Sequence, residues 1–569
     1  MDALPIVYCR GYAGPTSQID VTVDDPFYGF NEGATHTRVD GDGDPRFYQF
    51  EGPLLRLIGE HDYRLLVRGS QTELLADADD ASLDPKTIWV SRFYDVAATT
   101  FRPADDDEHE NPVERFFDRI THGIHDHVTA DGFDIERAAT ELYTLITSVV
   151  DKTAGHPKVN LVAHSMGGLV ARCMIQKICG TPDAAGKPRR NATDIVARLF
   201  TYATPHGGIN FTSGVLNWAM ETFGPAGADI FSPPKMYGYL TKGATFGDTP
   251  PANLTPPWDP RVIPKDVFDT DNVFCLIGTD QKDYGISKDL VGPQSDGLVQ
   301  IQNAYVKNAH RAFVYKSHSG RYGEVNSEEG YQNLQRFLFG TWAVKVELSG
   351  MPKTDELSNG VAWQADMQLA IRGLSVLMTE QTAAHYSPIQ LNEVAEPKVA
   401  DSINTPVPLV GTFLLKKEPP DDLAPTLVTA NGDGTTPADP TPAFMSTDAT
   451  TDELSRYALS LKVYQVATTR RTGAFDFSNN LEQVGDWSDV LIVDVGRPRP
   501  GAPFGVWTGW NSQFDGPIAA RAQMPDPLDL PQQADTGARV GRVPLPKGAL
   551  TLPIFDDGTN LLITITERA

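Results

Sequence analysis

The sequence predicts two differently built parts. Residues 1–342 read as an α/β domain, a mostly parallel sheet with helices on both faces and cap insertions, and residues 343–569 as an all-β, sandwich-like domain. Two observations point there. Up to Trp342 short apolar runs alternate with amphipathic stretches, the rhythm of strands buried on both faces and joined by helices. Beyond it, alternating strands are broken by Pro, Asp and Gly clusters such as "KKEPPDDLAPTLVTANGDGTTPADPTP". The length of 569 residues also exceeds what one hydrophobic core usually serves.

The expected strands of the first part are Ile6 to Cys9, Thr87 to Val90, Val159 to Ala163, Leu199 to Tyr202, Val273 to Ile277 and Ala312 to Tyr315. The expected helices are Val113 to His127, Ile135 to Lys152, Gly168 to Ile178 and Ser327 to Phe339. In the second of these, Ile135, Ala138, Leu142, Leu145 and Val149 recur at the three- and four-residue spacing of one buried face. Two long insertions interrupt the alternation, a polar, Asp-rich one from about Thr16 to Asp84 and a second from about Asn210 to Asp269. The second holds the apolar pieces "FTSGVLNWAMETFG" and "KMYGYLTKGATFG" and reads as a cap or lid. The strands of the second part include "AVKVELS", "AWQADMQLAI", "LVGTFLLKK", "YALSLKVYQV", "DVLIVDV" and "NLLITITE".

Composition narrows the partners. Lys plus Arg number 48 against 74 Asp plus Glu, a formal charge of −26 that repels nucleic acid and anionic membranes. No run of about 18 apolar residues suggests a transmembrane helix. The four cysteines, Cys9, Cys173, Cys179 and Cys275, show neither a disulfide framework nor zinc spacing. The opening "MDALPIVYCRGYAG" lacks a signal-peptide pattern, so a cytoplasmic location is expected, although a mature secreted domain restarted with Met would read alike. The oligomeric state is not legible.

The stretch "VNLVAHSMGGLVARCMIQ" sets Ser165 at a bend between a buried strand and a helix, with small residues, Ala163 and Gly167, two positions either side. Such a turn pushes a hydroxyl out above the sheet. The competing reading is a helix N-cap, a place serine favours. A serine hydroxyl needs a base, and the base an orienting acid. Asp296 in "QSDGLVQ" follows the strand "VFCLIG", and His318 in "YKSHSGRYG" follows the last strand, giving the order Ser, acid, His. Asp280 and Asp283 are alternative acids, and His206 in "YATPHGG" an alternative base. His310, ahead of the last strand, sits at the wrong end of the sheet and reads as a surface residue.

Together "PIVYCRGYAG", "AHSMGGLVAR", "ATPHGG", "SDGLV" and the late histidine resemble the bacterial true-lipase and esterase branch of the α/β-hydrolase fold, over residues 1–342 minus the insertions. The resemblance implies a carboxylic-ester hydrolase with an acyl-enzyme intermediate, an ester or lipid substrate and no required cofactor. It implies backbone N–H groups of Tyr12 and Met166 as the oxyanion hole; Arg10 stands where the family commonly has His. Large apolar residues of the cap, Trp218 and Phe223 foremost, are candidates for an acyl-chain pocket. An acyltransferase or a catalytically silent binding protein is the alternative.

Two weaker patterns concern metals. "DGDGDPRFYQFE" spaces Asp40, Asp42, Asp44 and Glu51 as oxygen ligands of a calcium loop, but Pro45 occupies the position of the sharp-turn glycine, and an acidic hairpin is the plainer reading. Asp118, His122 and His125 share a helical face that would suit zinc or simply face solvent.

Overall fold

The computed structural model describes residues 3–9, 11, 32–39, 45–48, 51–65, 71–91, 135–183, 185–209, 230–245, 247–282, 294–318, 323–352, 361–392, 406–415, 453–467, 486–497, 502–515, 526–534 and 536–568.

The first half is built on strands β1 (Ile6–Cys9), β4 (Arg64–Leu65), β5 (Thr87–Ser91), β6 (Val159–His164), β7 (Val196–Tyr202), β8 (Val273–Gly278) and β9 (His310–Val314), with a separate antiparallel pair β2 (Glu32–Val39) and β3 (Pro45–Tyr48). The seven form a parallel sheet in the order β4-β5-β1-β6-β7-β8-β9. Its helices are α1 (Glu51–His61), α2 (Gln71–Asp77), α3 (Ile135–Lys152), α4 (Met166–Cys173) running into a π turn (Met174–Ile178), α5 (Ala192–Ile195), α6 (Met236–Leu240) and α7 (Glu328–Phe339).

Successive side chains of a strand face opposite ways, and both faces here are covered. Val7 and Cys9 of β1 join a core with α3 and α4, while Ile6 and Tyr8 join the opposite core with α1 and α7. Chain order reverses between β1 and β6, and a crevice at the carboxyl ends of strands about such a point is the usual ligand site of open α/β sheets.

Parts of both insertions pack into the main fold. Part of the first insertion belongs to the main fold: Leu54 and Leu57 of α1 are fully buried, and β4 extends the sheet. Strand β4 is two residues long, too short to leave a periodic signal. In the second insertion, Ile230, Phe231, Met236, Tyr239 and Leu240 pack into the α3–α4 core. Trp218 and Phe223, the expected Val113–His127 helix, and Asp118, His122 and His125 lie outside the described residues.

From Trp342 onward the strands are antiparallel: β10 (Trp342–Ser349), β11 (Val361–Ile371), β12 (Leu377–Gln381), β13 (Ile389–Gln390), β14 (Val407–Leu414), β15 (Glu453–Ala467), β16 (Trp487–Arg497), β17 (Gly505–Trp510), β18 (Arg539–Pro544) and β19 (Asn560–Glu567). They form one sheet in the order β14-β10-β19-β18 and another in the order β12-β11-β15-β16-β17, with β13 on β11. Inward residues of both sheets, such as Val346 and Ile563 from one and Trp363, Leu459 and Val493 from the other, share one core. Phe413 of β14 leaves that core and inserts into the α/β half, edge-on to Phe337 and His310. His310 is consequently buried, not a surface residue as its position before the last strand suggested.

Candidate active site

A single residue, Ser165, separates β6 from α4. Its backbone sits at φ 52°, ψ −128°, a conformation that costs a non-glycine residue about 1–3 kcal/mol and persists only where surroundings impose it. The surroundings are the end of β7. Ser165 N–H donates to the Tyr202 carbonyl at 2.8 Å, and the Thr204 hydroxyl donates to the Ser165 carbonyl at 3.0 Å. A methyl group on Gly168 would lie 2.1 Å from Thr204 Oγ1, and one on Gly11 would lie 2.6 Å from Ser165 Cβ. The chain leaving β1 therefore runs directly against the strained turn.

Serine at a helix start ordinarily caps it, and Ser327 does so for α7, accepting the Gly330 N–H at 2.9 Å. Ser165 makes no such bond. Its Oγ lies 3.0 Å from His318 Nε2 instead. His318 Nδ1 lies 2.9 Å from Asp296 Oδ2, and Asp296 Oδ1 accepts the N–H groups of Leu298 and Val299 at 2.9 and 2.7 Å. Because a carboxylate only accepts, Nδ1 carries the imidazole hydrogen and Nε2 presents its lone pair to the serine hydroxyl. Both partners are buried, and His318 N–H also donates to the Asp296 carbonyl at 2.9 Å.

The alternatives lie elsewhere. The Asp280 carboxylate accepts the Lys282 N–H, and Asp283 is outside the described residues. His206 is fully buried with Nε2 3.1 Å from the Thr201 hydroxyl, and burial holds its pKa well below the ordinary value. Met166 opens α4, so its N–H has no acceptor within the helix. Tyr12 is outside the described residues, although Gly11 before it abuts Ser165.

Two residues that sequence reasoning passed over support the constellation. His164 donates its Nε2–H to the His318 carbonyl at 3.1 Å; burial, and then the neighbouring His318, depress its pKa to about 3, so it stays neutral. Glu324 is fully buried and accepts the Gly278 and Ala203 N–H groups at 3.1 and 3.2 Å, one on each oxygen. A methyl on Gly278 would lie within 3 Å of both the Glu324 carboxylate and Asp296 Cβ. Burial, followed by the charge of Asp296, pushes the Glu324 carboxyl well above the usual range. Neither has a local sequence signature: the neighbours of Glu324 come from β7, β8 and the Asp296 loop.

Residues 118–225 match the family described as "Putative serine esterase (DUF676)". The matched stretch includes α3, the Ser165 turn, β7 and His206, and stops short of Asp296 and His318. It supports, at the level of class, a hydrolase of the serine-esterase type with an α/β fold. No curated protein matches the chain.

Of the calcium-loop candidates, Asp40, Asp42 and Asp44 lie outside the described residues, as does the side chain of Glu51, the first residue of α1. Among the described residues, no group of three His, Cys, Asp or Glu side chains is arranged to hold a metal ion, and no helix is long and apolar enough to cross a membrane.

Proposed function

We propose that the protein is a serine carboxylic-ester hydrolase of the α/β-hydrolase fold, an esterase or lipase, with Ser165 as nucleophile, His318 as base and Asp296 as the orienting acid. The observation that carries this reading is a strained serine that does not cap its helix and hydrogen-bonds a histidine already oriented by a buried carboxylate. His318 Nε2 takes the hydroxyl proton as Oγ attacks the ester carbonyl carbon. The tetrahedral oxyanion is held by the Met166 N–H and, from the chain passing Gly11, that of Tyr12. The imidazolium gives its proton to the departing alcohol, and water, deprotonated by the same ring, then releases the acid from the acyl-enzyme. Of the candidate acyl-chain contacts, Trp218 and Phe223 remain in this proposal.

A fluorophosphonate probe tests it. One label per chain, loss of p-nitrophenyl ester hydrolysis on labelling, and neither labelling nor hydrolysis in Ser165→Ala are the expected results. A label retained by Ser165→Ala refutes the assignment. Comparing acetyl with octanoyl esters separates esterase from lipase preference.

A further inference from the structure

Strand β9 is the last of the parallel sheet, and the loop bearing His318 leaves from its end. A last strand exposes unpaired N–H and C=O groups unless something covers it. Here the antiparallel half does so. Thr379 of β12 accepts the Phe313 N–H on its hydroxyl at 2.8 Å, and the Met378 carbonyl accepts from Asn333 of α7 at 2.8 Å. One residue past β9, Tyr315 stacks on His385, with ring centroids 4.0 Å apart and planes 16° apart.

His385 stands on a short turn that is itself held in place. The turn's first N–H, from Ala383, donates to Asp366 of β11 at 2.9 Å, and Asp366 also accepts the Tyr464 hydroxyl at 2.8 Å. Glu380 lies 3.4 Å from His385 Nδ1. Tyr315 is 39% exposed, and the two halves are also fastened by the fully packed Phe413 and by Arg568, which donates to the Phe337 carbonyl at 2.7 Å. The stack falls on the first residue of the chain that leaves β9, whose next two carbonyls accept the Asp280 and Glu324 N–H groups at 3.1 and 3.0 Å. Only Lys316 and Ser317 separate Tyr315 from His318, and the Lys316 N–H turns back to the Val314 carbonyl at 2.8 Å.

We infer that His385 is a positioning residue for His318, acting through Tyr315, so that the antiparallel half is part of the catalytic unit rather than an appendage. The inference rests on the hydrolase reading above. A misplacement of the general base on the order of 1 Å costs up to about 10²-fold in rate. Lost positioning lowers kcat and leaves substrate binding alone.

The test uses the full chain and compares His385→Ala, His385→Phe and Phe413→Ala by kcat and KM on p-nitrophenyl acetate, by fluorophosphonate labelling rate and by Tm. His385→Ala is expected to lose about tenfold in kcat and in labelling rate with KM nearly unchanged, and His385→Phe, which can still stack, to recover most of it. Phe413→Ala is expected to lower Tm more, yet to keep its kcat well below its melting temperature. Wild-type kcat and labelling in His385→Ala overturn the inference, as does a loss seen only near melting. A wild-type chain that takes no label overturns the hydrolase reading, and this inference with it.

Discussion

At the scale of the residue, the candidate site holds two carboxyl groups that share a buried neighbourhood. Asp296 has two backbone donors and the His318 ring N–H; among the described residues Glu324 has two longer bonds, from the backbone of Ala203 and Gly278. Burial and a neighbouring negative charge both disfavour the ionised form of a carboxyl. Burial, and then the charge of Asp296, push the Glu324 carboxyl well above the usual range. Glu324→Ala strands the Gly278 N–H and is expected to lose about 1–3 kcal/mol of stability with a fall in kcat, and Glu324→Gln, whose NH2 cannot accept, to keep one of the two backbone bonds and lose a smaller part. Wild-type Tm and kcat in Glu324→Ala contradict this account. Asp296→Asn is expected to keep the fold and drop kcat by about 10⁴, because an amide favours the wrong imidazole tautomer. Circular dichroism beside steady-state kinetics checks it, and near-normal kcat moves the acid elsewhere.

At the scale of the element, the β6–α4 turn is held from outside by the end of β7. Gly168 and Thr204 form the closest approach, and Thr204 is also the donor to the Ser165 carbonyl. Gly168→Ala is expected to push α4 off the β7 end, costing about 1–3 kcal/mol from overpacking and a larger share of kcat. Adding Thr204→Gly removes the side chain that clashes, so the double variant should melt higher than the sum of the two single losses requires. Additive losses in a double-mutant cycle contradict this packing account.

At the scale of the whole molecule, acid sensitivity follows from three buried histidines. Burial is the largest cause in each case: His164 and His310 are lowered to about 3, and His206 well below its ordinary value. Their folded pKa values lie below the unfolded value of about 6.5, so the unfolded chain binds more protons in acid, and stability present above about pH 6.5 is lost as pH falls toward about 3. Between pH 6.5 and 5 His164 and His310 each contribute about 2 kcal/mol of loss, and His206 acts in the same direction. Glu324, shifted upward, acts in the opposite sense, losing stability as pH rises above about 4.5, but it is one group against three. His310→Phe, which keeps an aromatic ring against Phe413, is therefore expected to shrink the stability difference between pH 7 and 5 by about 2 kcal/mol. Denaturant melts at the two pH values measure it, and an unchanged difference removes His310 from the account.

What the sequence determined by itself was local or periodic. The face of α3 was legible in its three- and four-residue spacing, the parallel strands in short runs apolar on both faces, and Ser165 in the small residues around a strand-to-helix bend. Asp296 and His318 were named from chain order and strand ends alone. Only the tertiary structure decided the rest. It showed that Ser165 bonds His318 rather than capping α4, that the residues around Met236 belong to the main core, and that His310 is buried because Phe413, 103 positions along the chain, lies on it. Glu324 and His164 had no signature because each is defined by partners from distant strands. Periodicity along a chain reports the face an element buries; what covers that face, and which polar groups must then be paired, is set by contacts between segments that the local pattern does not encode.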